Sequence, residues 1–373
     1  MATWHHTDLT VAAGAPDTSG NPVGYVFAAQ GTQHVIYQGV EPSFRHIHEL
    51  WWDTNGWHHT DLTVAAGDAP TTGTDPSGYV FNAQGTQHVI YIGGDVDELW
   101  WDTNGWHHND LSVAAGAPPF SFSSGPVGYA FNAQRTQHVV YVDADELEIH
   151  ELRWDTNGWH HNNLTDAAGG PLISREFGQT APHGYVFDAQ GTQHVVYTDA
   201  DSQAIHELWW DTNGWHYNNL TIASGAPSSA GSAANPSCGD PVGYVFDAQG
   251  TQHVVYVGPS GQPHVHELWW DTSGWHHTDL TVAAHAPDPA ALTVPAGYVF
   301  DAQGTQHVVY VAPPGDVHEL WWDTNGWHNT DLTVAAHAPP GQGTASGYVF
   351  DAQGTQHVIY GGADNHVHEL WWG

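Results

Sequence analysis

The sequence predicts a seven-bladed β-propeller, an all-β ring of blades with four antiparallel strands each. Three observations predict it. A phrase of about fifty residues recurs seven times, each phrase divides into four short β-rich segments, and the chain is cut in the middle of a phrase. It opens on what is elsewhere the fourth segment (Trp4-His5-His6-Thr7-Asp8-Leu9-Thr10) and closes on the third (His368-Glu369-Leu370-Trp371-Trp372). Seven complete units exist only if the two ends meet in space, so the N-terminal strand is expected to close the last blade.

Each element follows from the residues in it. A Gly-Tyr pair opens every unit, at Gly24, Gly78, Gly128, Gly184, Gly243, Gly297 and Gly347. In the sixth unit the four segments are Gly297-Tyr298-Val299-Phe300-Asp301, Thr305-Gln306-His307-Val308-Val309-Tyr310, His318-Glu319-Leu320-Trp321-Trp322 and Trp327-His328-Asn329-Thr330-Asp331-Leu332. All are rich in β-branched and aromatic residues, and none is long or periodic enough for a helix. Gln303-Gly304 joins the first to the second, and Asn325-Gly326 joins the third to the fourth. Asn-Gly suits the positive φ angles of a type I′ hairpin turn. The second-to-third connection varies, from Gly93-Gly94-Asp95 to a longer insertion around Pro42-Ser43-Phe44, and the links between units vary most. Residues 1–373 therefore form one propeller, with blades near 24–64, 78–113, 128–166, 184–222, 243–282, 297–334, and 347–372 plus 4–10. The similar hairpins share one end of the ring and the variable loops the other. A repeated function belongs near the similar hairpins or between blades; a unique one belongs among the variable loops.

Composition narrows the partners. All 20 Trp fall at three repeat positions and 14 of the 15 Tyr at two, and nothing in the sequence resembles a separate appended domain. The chain is acidic, with 40 Asp and Glu against four basic residues, all Arg (Arg45, Arg135, Arg153, Arg175). Such a surface repels phosphates, which excludes nucleic acids and anionic membranes and leaves neutral ligands, cations or basic partners. The same acidity keeps a Trp-rich protein soluble. Cys238 is the single cysteine, so no intrachain disulfide forms; a bystander thiol and a link between subunits both fit its loop. No charged segment followed by an apolar run opens the chain, and no stretch approaches a membrane span. The expectation is a protein without a classical signal, bacterial cytoplasmic or released by another route.

Every candidate acid, base or nucleophile occurs about seven times, whereas an active site needs one asymmetric constellation. No catalytic residue and no cofactor are expected. The third strand is more informative, because alternation puts Glu319 and Trp321 on one face and His318, Leu320 and Trp322 on the other. The same pairing joins Glu49 to Trp51, Glu98 to Trp100, Glu207 to Trp209, Glu267 to Trp269, and Glu369 to Trp371. A carboxylate beside an indole suits a sugar, whose C–H face stacks on the ring while its hydroxyls donate to the carboxylate. Packing between blades, with Glu bonded to a backbone amide, also fits. In the third unit Glu151 is followed by Arg153 in place of the first Trp, which marks that position as open to solvent or a pocket and that site as altered.

The second Trp of each pair (Trp52, Trp101, Trp154, Trp210, Trp270, Trp322, Trp372) shares a face with Leu and reads as core. The Trp after the turn (Trp4, Trp57, Trp106, Trp159, Trp215, Trp275, Trp327) fits either core or a wall of the same pocket. Histidine occurs 31 times, and 25 copies lie at four repeat positions. Neighbours such as His5-His6 and His58-His59 point to opposite faces, so no set of three or four convergent ligands arises and no metal site is expected. Protonating every histidine would move the formal charge from −36 to about −5 around pH 6.5. Assembly or ligand binding is therefore expected to change between neutral pH and about pH 5.

Over its whole length the repeat resembles the bangle lectins, seven-bladed propeller lectins of bacteria for fucose and O-methylated sugars, and more loosely the tectonin-type propellers. The resemblance rests on the second strand (Gln306-His307-Val308-Val309-Tyr310), the third (Leu320-Trp321-Trp322) and the turn ending in Trp327. It implies sites between neighbouring blades, up to seven of them, lined by the third-strand Trp. Many fucose lectins set Arg against the sugar hydroxyls, and this chain has four Arg in all. The sequence thus points to a multivalent, non-catalytic carbohydrate-binding protein for neutral, deoxy- or O-methyl sugars. The alternative is a protein-interaction or structural propeller acting through its variable loops. Oligomeric state stays open.

Overall fold

Half of the side chains of every strand point into the gap between two neighbouring blades, and that gap is where the core lies. In the computed structural model the chain forms seven four-stranded antiparallel sheets. The structure describes residues 2–40, 45–120, 125–143, 147–173, 181–199, 201–229, 240–259, 261–291 and 293–373. Cys238, Arg175 and the Pro42-Ser43-Phe44 insertion lie outside the described residues. Seven apolar clusters fill the seven gaps. Between blades five and six, Tyr244, Val255 and Val265 meet Val308, Tyr310 and Leu320.

The Gly-Tyr pair that opens each unit has an interblade purpose. Tyr25 lies against Gly78 of the next blade, Tyr79 against Gly128, and so on round the ring until Tyr348 lies against Gly24. A Cβ on any of these glycines would enter the tyrosine ring. In five blades the hydroxyl then reaches the second strand of the next blade, as where Tyr79 donates to Gln137 Oε1 (3.0 Å) and Tyr348 to Gln33 Oε1 (3.1 Å).

The chain ends close the seventh blade as the interrupted repeat predicts. Trp4–Asp8 pairs antiparallel with Val367–Trp372, in the register Trp4↔Trp372 to Asp8↔His368. The Thr3 N–H donates to Gly373 O (3.3 Å) and the Val367 N–H to Thr10 Oγ1 (2.9 Å). Leu9 is buried in the cluster between blades seven and one.

Two local expectations are corrected. A helix of four or five residues follows every outermost strand, from Leu9–Ala13 to Leu332–Ala336. Its N-cap is Asp or Asn, whose side chain accepts an N–H three residues on, as Asp331 does from Val334 (2.8 Å). Its first residue, a leucine, is buried, and its second takes a backbone N–H from the third strand, Ile47 to Thr63 (3.0 Å) and Val317 to Thr333 (2.7 Å). Packing and capping, rather than periodicity, make this single turn. The outer hairpin also differs from a type I′ turn. Asp323 pairs with Gly326, so Thr324-Asn325 form the loop, and neither has positive φ. Asp first and Gly fourth is the preference of a type I turn, and Asp323 Oδ1 accepts the Asn325 N–H at 2.7 Å.

Deleting residues 1–10 removes one strand of blade seven and a buried leucine, so the Tm should fall clearly in calorimetry. Gly243→Ala should destabilise by about 2 kcal/mol, read as a lower denaturant midpoint, because the added methyl overpacks the Tyr185 contact.

Candidate ligand-binding clefts between the blades

The two faces of each third strand look into two different gaps. Register aligns Gln306, Trp322 and Trp327 across strands two, three and four of blade six, on the face turned to blade five. On the opposite face of blade five, His253, Trp269 and His276 form the matching row, with Glu267 beside Thr278. The two faces meet in a cleft of about 170 Å³, lined by Gln249, Thr251, His253, Glu267, Trp269 and Thr278 of blade five and by Gln306, Trp322 and Trp327 of blade six. The equivalent positions repeat this pairing round the ring.

The structure thus brings Glu267, Trp269 and Trp327 together, but Trp327 comes from the following blade. The turn tryptophan of blade five, Trp275, pairs with Trp270 on the other face and belongs to the gap with blade four. By the same rule Trp51 faces Trp106, Trp100 faces Trp159, Trp209 faces Trp275, Trp321 faces Trp4, and Trp371 faces Trp57. Arg153 faces Trp215. The second tryptophans are not core as expected. All are half-buried, and several set an edge against the first-strand Phe of the preceding blade, as Trp101 does against Phe27 and Trp372 against Phe300. Gln249, Thr251, His253, Thr278, Gln306 and Trp322 were missed from sequence, although the cross-strand rows carry the signal for most of them.

Burial of the glutamates changes how they can act. Glu49, Glu98, Glu151, Glu207, Glu267, Glu319 and Glu369 are all buried. In every blade Oε1 lies 2.8–2.9 Å from Nδ1 of the second-strand histidine. A carboxylate only accepts, so Nδ1 carries the proton and Nε2 accepts from a threonine hydroxyl at 2.7–2.8 Å. The first-strand tyrosine stacks on that imidazole, with centroids 5.0–5.3 Å apart. In blade five Tyr244 also donates to Glu267 Oε1 (3.1 Å), and burial together with the Glu267 charge holds its hydroxyl well above the usual range. Glu267 Oε2 takes none of these bonds.

The first tryptophan is fixed from one side. Its ring stacks on the fourth-strand histidine at 4.1–4.3 Å in six blades. In three of them its Nε1–H donates to threonine, as Trp269 does to Thr278 (3.2 Å). The histidine is anchored by the hairpin aspartate, as His276 Nε2 is by Asp271 Oδ1 (3.0 Å). Bonds from the Ser273 hydroxyl and N–H, then from His276, hold the Asp271 carboxyl down at about 2. Blade seven has no such hairpin, and Thr3 Oγ1 stands beside His5 Nε2 instead (3.1 Å). In blade three Arg153 turns onto Asp155 (2.7 Å), so the cleft with blade four offers a cation where the others offer an indole.

A second histidine system lies toward the variable-loop end. His48, His150, His266 and His368 bond through Nδ1 to His59, His161, His277 and His6 at 2.7–3.0 Å. Burial holds His150 and His266 down to about 4, and it does the same to His183.

Superposition on a triple arginine-to-alanine variant of AofleA from Arthrobotrys oligospora gives a TM-score of 0.55 at 12% identity, over 99% of this chain and 86% of that one. Aleuria aurantia lectin, as a variant in complex with Fucα1-6GlcNAc, gives 0.54 at 15% identity over 84% of this chain and 96% of its own. SapL1 lectin with α-methyl fucoside gives 0.50 at 15% identity, over 87% and 98%. The chain has the propeller fold of these lectins. No protein-family model and no curated protein sequence matches it.

Folded-state histidines held below their unfolded value of about 6.5 bind fewer protons than the unfolded chain, so stability falls as pH drops from about 6.5 toward 4. Denaturation midpoints should therefore decline steadily between pH 7 and 4.5 and stay flat between pH 7 and 8. The anchored hairpin aspartates add their loss only at lower pH, because their carboxyls are held below the usual range.

Proposed function

We propose that the chain is a multivalent, non-catalytic carbohydrate-binding protein whose sites are the interblade clefts. The observation that carries this reading is the cleft between blades five and six. Trp269 from one blade and Trp322 and Trp327 from the next supply apolar walls, and Thr278, Gln249, Gln306 and Thr251 supply hydroxyl and amide partners. Its volume suits one sugar ring. Indoles stack on C–H faces and neutral amides bond hydroxyls, which is the division of labour a monosaccharide needs. Glu267 acts mainly through its bond to His253, which holds the floor of the cleft, and its second oxygen is the one left for a ligand hydroxyl. The Aleuria aurantia lectin variant and SapL1 are in complex with fucose-containing ligands, and that supports a sugar here as well.

The ligand is neutral, because a formal charge of −36 disfavours sialic or uronic acids. Deoxy- and O-methyl sugars fit best, since an added apolar group gains contact with three indoles. Weak sites act together, with avidity exceeding single-site affinity by roughly 10²–10⁴. The cleft holding Arg153 differs in strength or preference from the other six.

A second reading has one observation in its favour. A larger hollow of about 290 Å³ opens on the variable-loop end, lined by Thr71–Thr74, Ile92–Gly94 and Phe120, and it occurs in an unrepeated part of the chain. A scaffold would bind a partner there, once per molecule.

A glycan array followed by calorimetric titration separates the two. We expect several equivalents of a neutral sugar per chain. Trp269→Ala should remove one equivalent, weakening that site about tenfold or more, a loss of roughly 1.4 kcal/mol. Absence of glycan binding, or a single equivalent unaffected by Trp269→Ala, would overturn this reading in favour of the scaffold.

A further inference from the structure

We propose that blade six carries one divalent-metal site, formed by Asp316, His318 and Asp331 at the variable-loop end of its outer strands. One ligand atom from each lies within 4.8 Å of the other two. His318 and Asp331 are cross-strand partners, and Asp316 is the first residue of the third strand, two residues before His318.

The decisive feature is the state of His318, which is only 6% exposed. Its Nδ1 faces Asn329 Oδ1 at 3.1 Å. An amide oxygen only accepts, so Nδ1 carries the proton, and in the neutral imidazole Nε2 presents a lone pair. That lone pair points toward Asp331 Oδ2 at 4.0 Å, beyond hydrogen-bond reach, and among the described residues nothing donates to it. The other oxygen of Asp331 is occupied as the helix cap, accepting from Val334 at 2.8 Å. A lone pair and two carboxylates turned to one point repel each other unless a cation or a proton sits between them. Asn329 then has the role of an outer partner that fixes the ligand tautomer and ring orientation, and Tyr310 stacks on the imidazole (5.7 Å).

The other blades supply the control. Where blade six has Asp316 and Asn329, blades one, five and seven have two histidines, His46 with His59, His264 with His277, and His366 with His6. Those histidines close their clusters with bonds of their own. His46, His264 and His366 each reach the cap aspartate at 2.7–2.8 Å, and each central histidine bonds its fourth-strand partner at 2.9–3.0 Å. Asp8, Asp364 and His366 of blade seven also lie within 4.8 Å of one another, but there the aspartate–histidine bond satisfies the group. In blade six two exchanges strip the cluster of these bonds while adding a carboxylate. Blade two, with Asp95 in the place of Asp316, keeps a His108–Asp97 bond (2.7 Å), and in blade three, with Glu148 there, His150 bonds His161 (2.7 Å) and Asn163 donates to Glu148 (2.6 Å). One imidazole nitrogen and two carboxylates suit Zn²⁺ or Mn²⁺, with the remaining positions open to water because Asp316 and Asp331 are half-exposed. Alternation puts Asp316 and His318 on one face of the third strand, but Asp331 joins them only through the pairing of strands three and four.

The test is calorimetric titration of the chelator-treated full chain with ZnCl₂ and with MnCl₂, alongside its Tm. We expect one tight equivalent of at least one of the two metals per chain and a metal-dependent rise in Tm. Asp316→Asn, at a half-exposed position, should keep the metal-free Tm while weakening the tight equivalent about 100-fold; Asn329→Ala should weaken it about tenfold. Asp364→Asn should leave it unchanged. The proposal fails if Asp316→Asn binds as wild type does, if Asp364→Asn removes the tight equivalent, or if uptake is only weak and spread over many histidines.

Discussion

A tyrosine lying flat on a glycine of the next blade sets the spacing of the whole ring. With no Cβ on Gly78, the first strand of blade two comes close enough for Tyr25 to cover it, and the relation repeats until Tyr348 covers Gly24. This contact lies near the axis, where blades are crowded. Further out, where they diverge, the apolar clusters fill the gap with Val, Ile, Leu and the second-strand Tyr. Toward the hairpin end the filling gives way to half-buried tryptophans, and the gap becomes a cleft. Cleft width is thus a consequence of an approach that only glycine permits at the centre.

Burying seven glutamates in so acidic a chain needs a counterpart, and histidine provides one without placing a permanent cation in the core. An uncompensated buried carboxylate is costly. Each glutamate instead accepts from an imidazole whose far nitrogen is held by threonine and whose face is covered by tyrosine. Four side chains from three strands are tied together, which fixes the third strand and with it the tryptophan two residues on. The role of the glutamate is therefore positional first, and any contact with a ligand is made by the oxygen that remains.

The ring, its four-stranded blades and its closure were legible because a cut repeat and β-rich segments are local facts. Alternation also separated the Glu-Trp face from the His-Leu-Trp face correctly. It could not tell which face meets which neighbour, and so Trp327 was grouped with its own blade's Trp321 rather than with Trp269 of the preceding one. That pairing depends on the direction in which the ring winds, a global property. The helix beginning at Leu332 escaped notice because one turn has no periodicity; its signal was Asp331 as cap before a buried leucine. The histidine bond of Glu267 was likewise invisible, since fourteen residues separate the partners.

Repetition and its exceptions divide the molecule between its two ends. At the hairpin end selection on one unit is copied seven times, so the clefts share walls and differ only where a copy departs, as at Arg153. At the other end the loops are unconstrained by symmetry, and small exchanges, such as Asp316 together with Asn329 in blade six, alter the local cluster from blade to blade. A ring of this kind can keep a many-fold weak surface on one side and acquire single sites on the other without disturbing the core between them. The seam at Trp4–Asp8 belongs to both sides: Trp4 walls a cleft at one end, while Asp8 caps a helix and bonds His366 at the other. Closing the ring therefore completes the repeated surface and the variable one in a single step.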